Sequence, residues 1–187
     1  MHWLLAFFLL AEPFWNAKAP DKWTEDELTS LFENSPWARD IGTHMFLASS
    51  DAMIDAEDQI GKRHVAKRLA AEKAASEDDW REYLASNRGK HIVVAIKLTD
   101  PNVLAEAEES RRMEKESALR VGRKKFRMVG HFPPTPSDPY LRLLFPRAVE
   151  ASSKSFSVEL YLPGVTKPYR EAEFKLSEMT YRGKLTY

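Results

Sequence analysis

SFSVELYL, residues 155 to 162, is the stretch whose reading decides the fold. Phe156, Val158, Leu160 and Leu162 alternate with Ser155, Ser157, Glu159 and Tyr161. A period of two sends successive side chains to opposite faces, so this is a strand with one face buried and the other toward water. One-sided burial belongs to antiparallel sheets, because parallel sheets bury both faces. Pro163-Gly164 follows, suited to the middle of a type II turn. The alternation then resumes, with Ala172, Phe174 and Leu176 against Glu171, Glu173 and Lys175. KKFRMVGHF (124–132), LRLLF (141–145) and MTYRGKLTY (179–187) add further β-like runs separated by Pro and Gly turns. In the last of these, Gly183 marks a bulge, a turn or a close backbone approach. FPPTPSDPY (132–140) holds Pro133, Pro134, Pro136 and Pro139, which bars it from a strand interior. It reads as a rigid, extended connection across one end of the sheet.

The chain before Gly122 follows a different grammar. Thr24 and Glu27 form the S/T-x-x-E capping box, and Trp23 with Leu28 falls at the two positions of a hydrophobic staple. Leu28, Leu31 and Phe32 share the inward face of this helix. Ser35-Pro36 stops the helix and opens a new turn, on which Trp37 sits. A helix of about ten residues is marginal in water by itself. Trp23 and Trp37 are therefore read as anchors that pin this segment to the domain, in preference to an aromatic platform for a ligand. IGTHMFLAS (41–49) reads as a strand, and 51–76 as one or two helices with Gly61 as a break. Ser76 with Asp79 caps a further helix in which Trp80, Tyr83 and Leu84 share a face, ending at Asn87-Arg88-Gly89. HIVVAIKL (91–98) is the clearest central strand. Asp100-Pro101 opens a helix expected to run to about Arg120 and to close at Gly122.

These elements describe one α+β domain over residues 12–187, helix-rich from 21 to 122 and strand-rich from 123 to 187. The expected architecture is a mostly antiparallel sheet or small β-sandwich, with helices from the N-terminal half packed on one side. The 187 residues include 10 Phe, 5 Trp and 6 Tyr, ample for a packed core. Lys plus Arg and Asp plus Glu are each 28, which argues against a dedicated polyanion binder while leaving room for local segregation. Cysteine is absent, which excludes disulfides, thiolate metal sites and cysteine nucleophiles.

MHWLLAFFLLA (1–11) is an apolar run too short to span a bilayer and of the length of a signal-peptide h-region. Ala11 and the Ala17-Lys18-Ala19 stretch offer small residues for cleavage. No Lys or Arg precedes the run, and the competing reading is a buried N-terminal helix or strand. Without cysteine, a lipoprotein anchor is excluded.

Phe14-Trp15, then Lys18 to Thr24 (K-x-P-x-x-W-T) and Ser35 to Ala38 (S-P-W-A), together with the run from Leu162 to Leu185 (L-P-G…P-Y-R-E-A-E-F-K-L-S-E-M-T-Y-R-G-K-L), form a distinctive pair of chain ends. This pattern resembles a family of uncharacterised secreted proteins from soil bacteria. The resemblance covers about a third of the chain and implies export, with cleavage after Ala11. The family has no assigned activity, so it implies no site residues.

The search for chemistry returns little. The five histidines, His2, His44, His64, His91 and His131, make no H-E-x-x-H pair or other spacing that places two ligands on one element. No nucleophile elbow, Walker A loop or dinucleotide fingerprint is present. The acidic runs Glu57-Asp58 and Glu77-Asp78-Asp79 are read as complements to helix macrodipoles. Residues 111–127 carry eight basic side chains against two acidic ones. Arg123, Lys124, Lys125 and Arg127 surround Phe126 there, the sole candidate surface-binding patch. The competing reading is an edge strand kept soluble by its cations. The expectation is a periplasmic or extracellular, non-enzymatic binding module. Its partner would be an envelope protein or acidic surface polymer, with no nucleic acid, cofactor, metal or transmembrane span. The alternative is a hydrolase or metal-dependent enzyme, which requires a pocket where His44, His64, His91 or His131 meet carboxylates.

Overall fold

A computed structural model describes residues 12–65, 79–98, 100, 102, 104, 106–135 and 138–187. The leader 1–11, Ser76 with its capping role, and Pro101 lie outside these residues. The described helices are α1 (Phe14–Ala17), α2 (Glu25–Asn34), α3 (Asp51–Val65), α4 (Asp79–Asn87) and α5 (Ala107–Glu116). The strands are β1 (Ala38–Asp40), β2 (His44–Leu47), β3 (His91–Lys97), β4 (Ala118–Val121), β5 (Lys124–Arg127), β6 (Gly130–Phe132), β7 (Tyr140–Pro146), β8 (Ser155–Tyr161), β9 (Tyr169–Lys175), β10 (Thr180–Tyr181) and β11 (Lys184–Leu185). The fold is α+β with antiparallel sheets. One sheet has five strands in the order β1-β2-β3-β7-β6, another has four in the order β5-β4-β8-β9, and β10-β11 form a small hairpin.

Register assigns the faces. In β3, Ile92, Val94 and Ile96 stand opposite Phe145, Leu143 and Leu141 of β7, while Val94 and Ile96 also face Leu47 and Met45 of β2. Arg39 pairs with Met45, so it shares this face. Its guanidinium lies 4.6 Å over the Phe174 ring and donates to the Glu173 carbonyl at 2.8 Å, both in β9. This face therefore looks onto the four-stranded sheet. The opposite face carries Phe46, Ala95 and Arg142. Phe46 meets Phe32 of α2 with ring centroids 4.9 Å apart, and Arg142 meets Glu57 of α3 and Trp80 of α4. Helices, sheet and second sheet are stacked as three layers. That stacking explains why Ile92 to Ile96 reads as an uninterrupted apolar run, since all five are buried.

The tryptophans are anchors. Thr24 Oγ1 accepts from the Glu27 N–H at 3.2 Å, Glu27 Oε2 accepts from the Thr24 N–H at 2.9 Å, and Trp23 and Leu28 are both buried. Trp37 is fully buried, and its Nε1 donates to the Thr186 carbonyl at 2.7 Å. Trp23 and Trp37 meet Tyr181 at 6.2 and 6.3 Å, and Trp15 meets Trp37 edge-on at 5.7 Å. The N-terminal segment is thus packed against the C-terminal hairpin, and neither indole is available as a platform.

Several expectations change: α3 runs through Gly61 without a break, and the helix expected to open at Asp100-Pro101 begins at Ala107. The helix expected to reach Arg120 ends at Glu116, and the strand-rich region begins at Ala118 instead of 123. Ser117 is buried, and its Oγ accepts the Tyr161 N–H at 3.1 Å, which joins the chain to β8 where a helix would have carried it away. Gly122 ends no helix. With φ +58° it is the first central residue of a two-residue turn between Val121 and Lys124, the glycine position of a type II′ hairpin. The proline-rich segment does not cross the sheet but joins β6 to its neighbour β7. Gly183 is a turn residue with φ +74°, following Arg182 at φ +50°, as a type I′ hairpin requires.

Replacing Trp37 with Ala is expected to cost about 3–5 kcal/mol in urea denaturation, from the cavity and the lost bond to Thr186. Nothing lies within 4 Å of where a Cβ on Gly122 would stand, so Gly122→Ala tests backbone strain alone. Its expected cost in the same assay is about 1–2 kcal/mol.

Candidate functional site

The described histidines do not converge. His44 begins β2 opposite the Lys97 end of β3, while His91 begins β3 itself, so about 20 Å of strand separates them. His91 lies on the helix-facing side, where its Nδ1 hydrogen-bonds the Tyr83 hydroxyl. His131 sits on β6 opposite Leu143, on the sheet-facing side, 3.3 Å from Glu114. Among the described residues no group of three or more His, Asp and Glu side chains is arranged to hold a metal. His2 and the His64 side chain lie outside the described residues.

A buried ionic cluster occupies the helix-facing side of β7. Arg142 sits between two carboxylates: its Nη2 donates to Glu57 Oε1 at 2.7 Å and its Nε to Asp138 Oδ2 at 2.6 Å. The guanidinium lies 4.5 Å over the Trp80 ring, whose Nε1 donates to Glu57 Oε2 at 3.1 Å. Burial pushes the Glu57 carboxyl above its usual range, although Arg142 and Trp80 pull it down. Burial also lowers the Arg142 affinity for its proton, but Glu57 and Asp138 outweigh it and hold the cation firmly charged. The macrodipole reading of Glu57-Asp58 therefore fails for Glu57, which stands mid-helix in α3 as the counter-charge of Arg142. Asp58 pairs with Lys62 one turn on, at 2.5 Å. Every member of the cluster is engaged by another protein group, which makes it a packing device that ties α3, α4 and the β6–β7 loop to the sheet.

The sequence-derived patch is brought together on the β4–β5 hairpin. Arg123 is in the turn, and β5 is an edge strand of the four-stranded sheet. Lys125 donates to Glu159 Oε2 at 2.5 Å, and Arg120 also pairs with Glu159. Burial raises the Glu159 carboxyl somewhat, but the Lys125 and Arg120 cations outweigh it and hold it below the usual range. Arg123, Lys124 and Arg127 are exposed and form no ion pair with the described residues. Phe126 departs from the expected patch. It stands opposite buried Leu119 and packs half-buried against the core, so it anchors the strand and is no stacking surface.

An open groove of about 640 Å³ lies where β8 begins, β9 ends and the C-terminal hairpin closes. Ser153, Lys154, Ser155, Lys175, Ser177 and Thr180 contribute to its lining, and Ser155 Oγ is held by Glu173 Oε1 at 2.7 Å. Sequence reasoning did not mark this groove, because its residues come from three separate turns with no common motif.

Arg142→Met leaves Glu57 and Asp138 buried without their cation, at an expected cost of about 3–5 kcal/mol at neutral pH. In that variant the folded-state pKa of Glu57 lies still further above its unfolded value. The stability it contributes is therefore present at low pH and lost as the pH rises through the folded pKa. Urea denaturation at pH 5 and pH 7 should find the variant closer to wild type at the lower pH.

No family model, no curated protein and no solved structure matches this chain.

Proposed function

We propose that the chain is an exported, non-enzymatic interaction module that engages an acidic partner through the β4–β5 hairpin. The observation that carries this reading is the local segregation of charge in a molecule of zero formal net charge. Arg123, Lys124 and Arg127 project from one exposed hairpin without an ion-pair partner among the described residues, and the basic side chains of Arg120 and Lys125 lie beside them. Cations clustered in this way hold a local positive potential that draws anionic surfaces, and the attraction weakens as salt screens it. The separation of His44, His91 and His131 supports this reading over the hydrolase or metal-enzyme alternative.

The packing of residues 14–16 bears on where an export leader would be cut. Phe14 meets Trp23 at 6.0 Å, Trp15 meets Trp37, and Asn16 Oδ1 accepts the Arg182 N–H at 2.7 Å. Cleavage after Ala11 preserves all three contacts, whereas cleavage after Ala19 removes them. Intact mass and cell fraction of the protein expressed from its own gene test this part. A chain beginning at Glu12 outside the cytoplasm agrees with the proposal, and an uncleaved cytoplasmic chain overturns it.

The binding part is tested with Arg123→Glu, Lys124→Glu and Arg127→Glu combined, leaving Lys125 in place with Glu159. Binding of wild type to poly-L-glutamate should weaken steeply with added salt. The triple variant should bind about tenfold or more weakly at low salt while unfolding at the same urea concentration. Equal binding by both proteins would exclude the hairpin as the site.

A further inference from the structure

The geometry points to a specific mode of recognition at this hairpin: we propose that β5 accepts an extended acidic peptide segment as an added antiparallel or parallel strand. The inference rests on the hairpin reading above and deepens it, from a charged patch to a backbone template.

Gly122-Arg123 is a two-residue loop, so the flanking pair Val121 and Lys124 exchange backbone hydrogen bonds across the hairpin. Hydrogen-bonded and non-hydrogen-bonded pairs alternate along an antiparallel ladder. Leu119 with Phe126 is therefore a bonded pair, while Arg120 with Lys125 and Ala118 with Arg127 are not. The N–H and C=O of Lys125 and of Arg127 consequently point away from β4, along the open edge of the sheet. Among the described residues no backbone group pairs with that edge.

The other edge of the same sheet differs. On β9, the Arg39 guanidinium donates to the Glu173 carbonyl at 2.8 Å, and the Arg170 guanidinium donates to the Ile41 carbonyl at 2.7 Å. That edge is stitched to the chain around β1, which leaves β5 as the open one.

Charge then selects the occupant. Lys124, Lys125 and Arg127 are all exposed on β5, with Arg123 at its start. A second copy of β5 laid against this edge would set cations beside cations, so self-pairing is opposed. An extended segment with acidic residues at alternate positions satisfies both demands. Its backbone takes the open N–H and C=O groups, and its carboxylates meet the cations. Phe126 holds the strand against the core meanwhile, so the template is ordered before the partner arrives.

The test uses the full chain, ¹⁵N-labelled, with a synthetic peptide of alternating Val and Glu as probe. Two controls accompany it: the same peptide N-methylated at alternate amides, and poly-L-glutamate with heparin as charge-only polyanions. The expected result is slowed amide exchange at Lys125 and Arg127, with the N-methylated peptide binding about tenfold more weakly. Arg127→Pro, which removes one outward N–H at a sheet edge, should weaken the peptide more than Arg127→Gln does, with heparin affected equally by the two. If the N-methylated peptide binds as well as the parent and both amides exchange freely, strand addition is overturned while the charged patch stands. If heparin binds and the peptide does not, a polymer is the occupant and the inference is wrong. If no polyanion binds in a salt-dependent way, the hairpin reading itself falls.

Discussion

The pairing of β3 with β7 is the constraint on which the rest of the molecule depends. The two strands run antiparallel through seven registered pairs, from His91 opposite Pro146 to Lys97 opposite Tyr140. Their partners in sequence lie far apart, so the chain between them closes a long loop before the pairing forms. Both strands are apolar on both faces, and an apolar face left in water would forfeit the burial that stabilises the pair. One face is covered by helices from the first half of the chain, the other by a sheet from the second half. The three-layer order follows from that demand.

Arg142 is the exception inside this apolar pair, and its surroundings follow from the cost of burying a charge. A lone guanidinium buried on the helix-covered face of β7 would be expensive to desolvate. The fold supplies Glu57 from α3, Asp138 from the β6–β7 loop and the ring face of Trp80 from α4. A buried ion pair of this kind adds little net stability over apolar residues of the same shape, because desolvation offsets attraction. What it adds here is position: three elements that, among the described residues, share no backbone hydrogen bonds with one another must arrive at one guanidinium. Trp23 makes the complementary point. Among the described residues its Nε1 has no hydrogen-bond partner, so the indole anchors by burial and ring contacts, while the Trp23 carbonyl accepts from the Arg63 guanidinium of α3.

Much of this was legible before any coordinates, and the exceptions have physical causes. Local signals carried through. The Thr24–Glu27 box, the alternation from Phe156 to Leu160 and the apolar run from Ile92 to Ile96 each depend on neighbours in sequence, and each appears as read. The misreading of 117–121 came from composition, since Ala118, Leu119 and Arg120 are good helix formers. Pairing with β8 overrode that preference, and Gly122 before a lysine-rich strand was the available hairpin signal. Glu57 was misread for a different reason. Its partners Trp80 and Arg142 lie 23 and 85 residues further along the chain, and nothing local distinguishes a buried carboxylate from a solvated one. The candidate patch was legible as a charge run, but the inward turn of Phe126 follows only from its register with Leu119.

The sheet edges show how one residue type can serve two ends. At β9 two arginines, Arg39 and Arg170, close an edge by donating to backbone carbonyls, and the Arg39 cation is partly desolvated over Phe174. Burial lowers the proton affinity of Arg39 while Glu178 and Glu173 oppose that shift. At β5 the arginines and lysines stay in water and leave the backbone uncovered. Edge cations of that sort prevent a sheet from pairing with itself, which is sufficient reason for them in any antiparallel fold. The same electrostatics has a sign, however, and repulsion of a basic strand is attraction for an acidic one of equal length. An edge protected by charge instead of by a covering element therefore remains a selective template, closed to copies of itself and open to a strand of opposite charge.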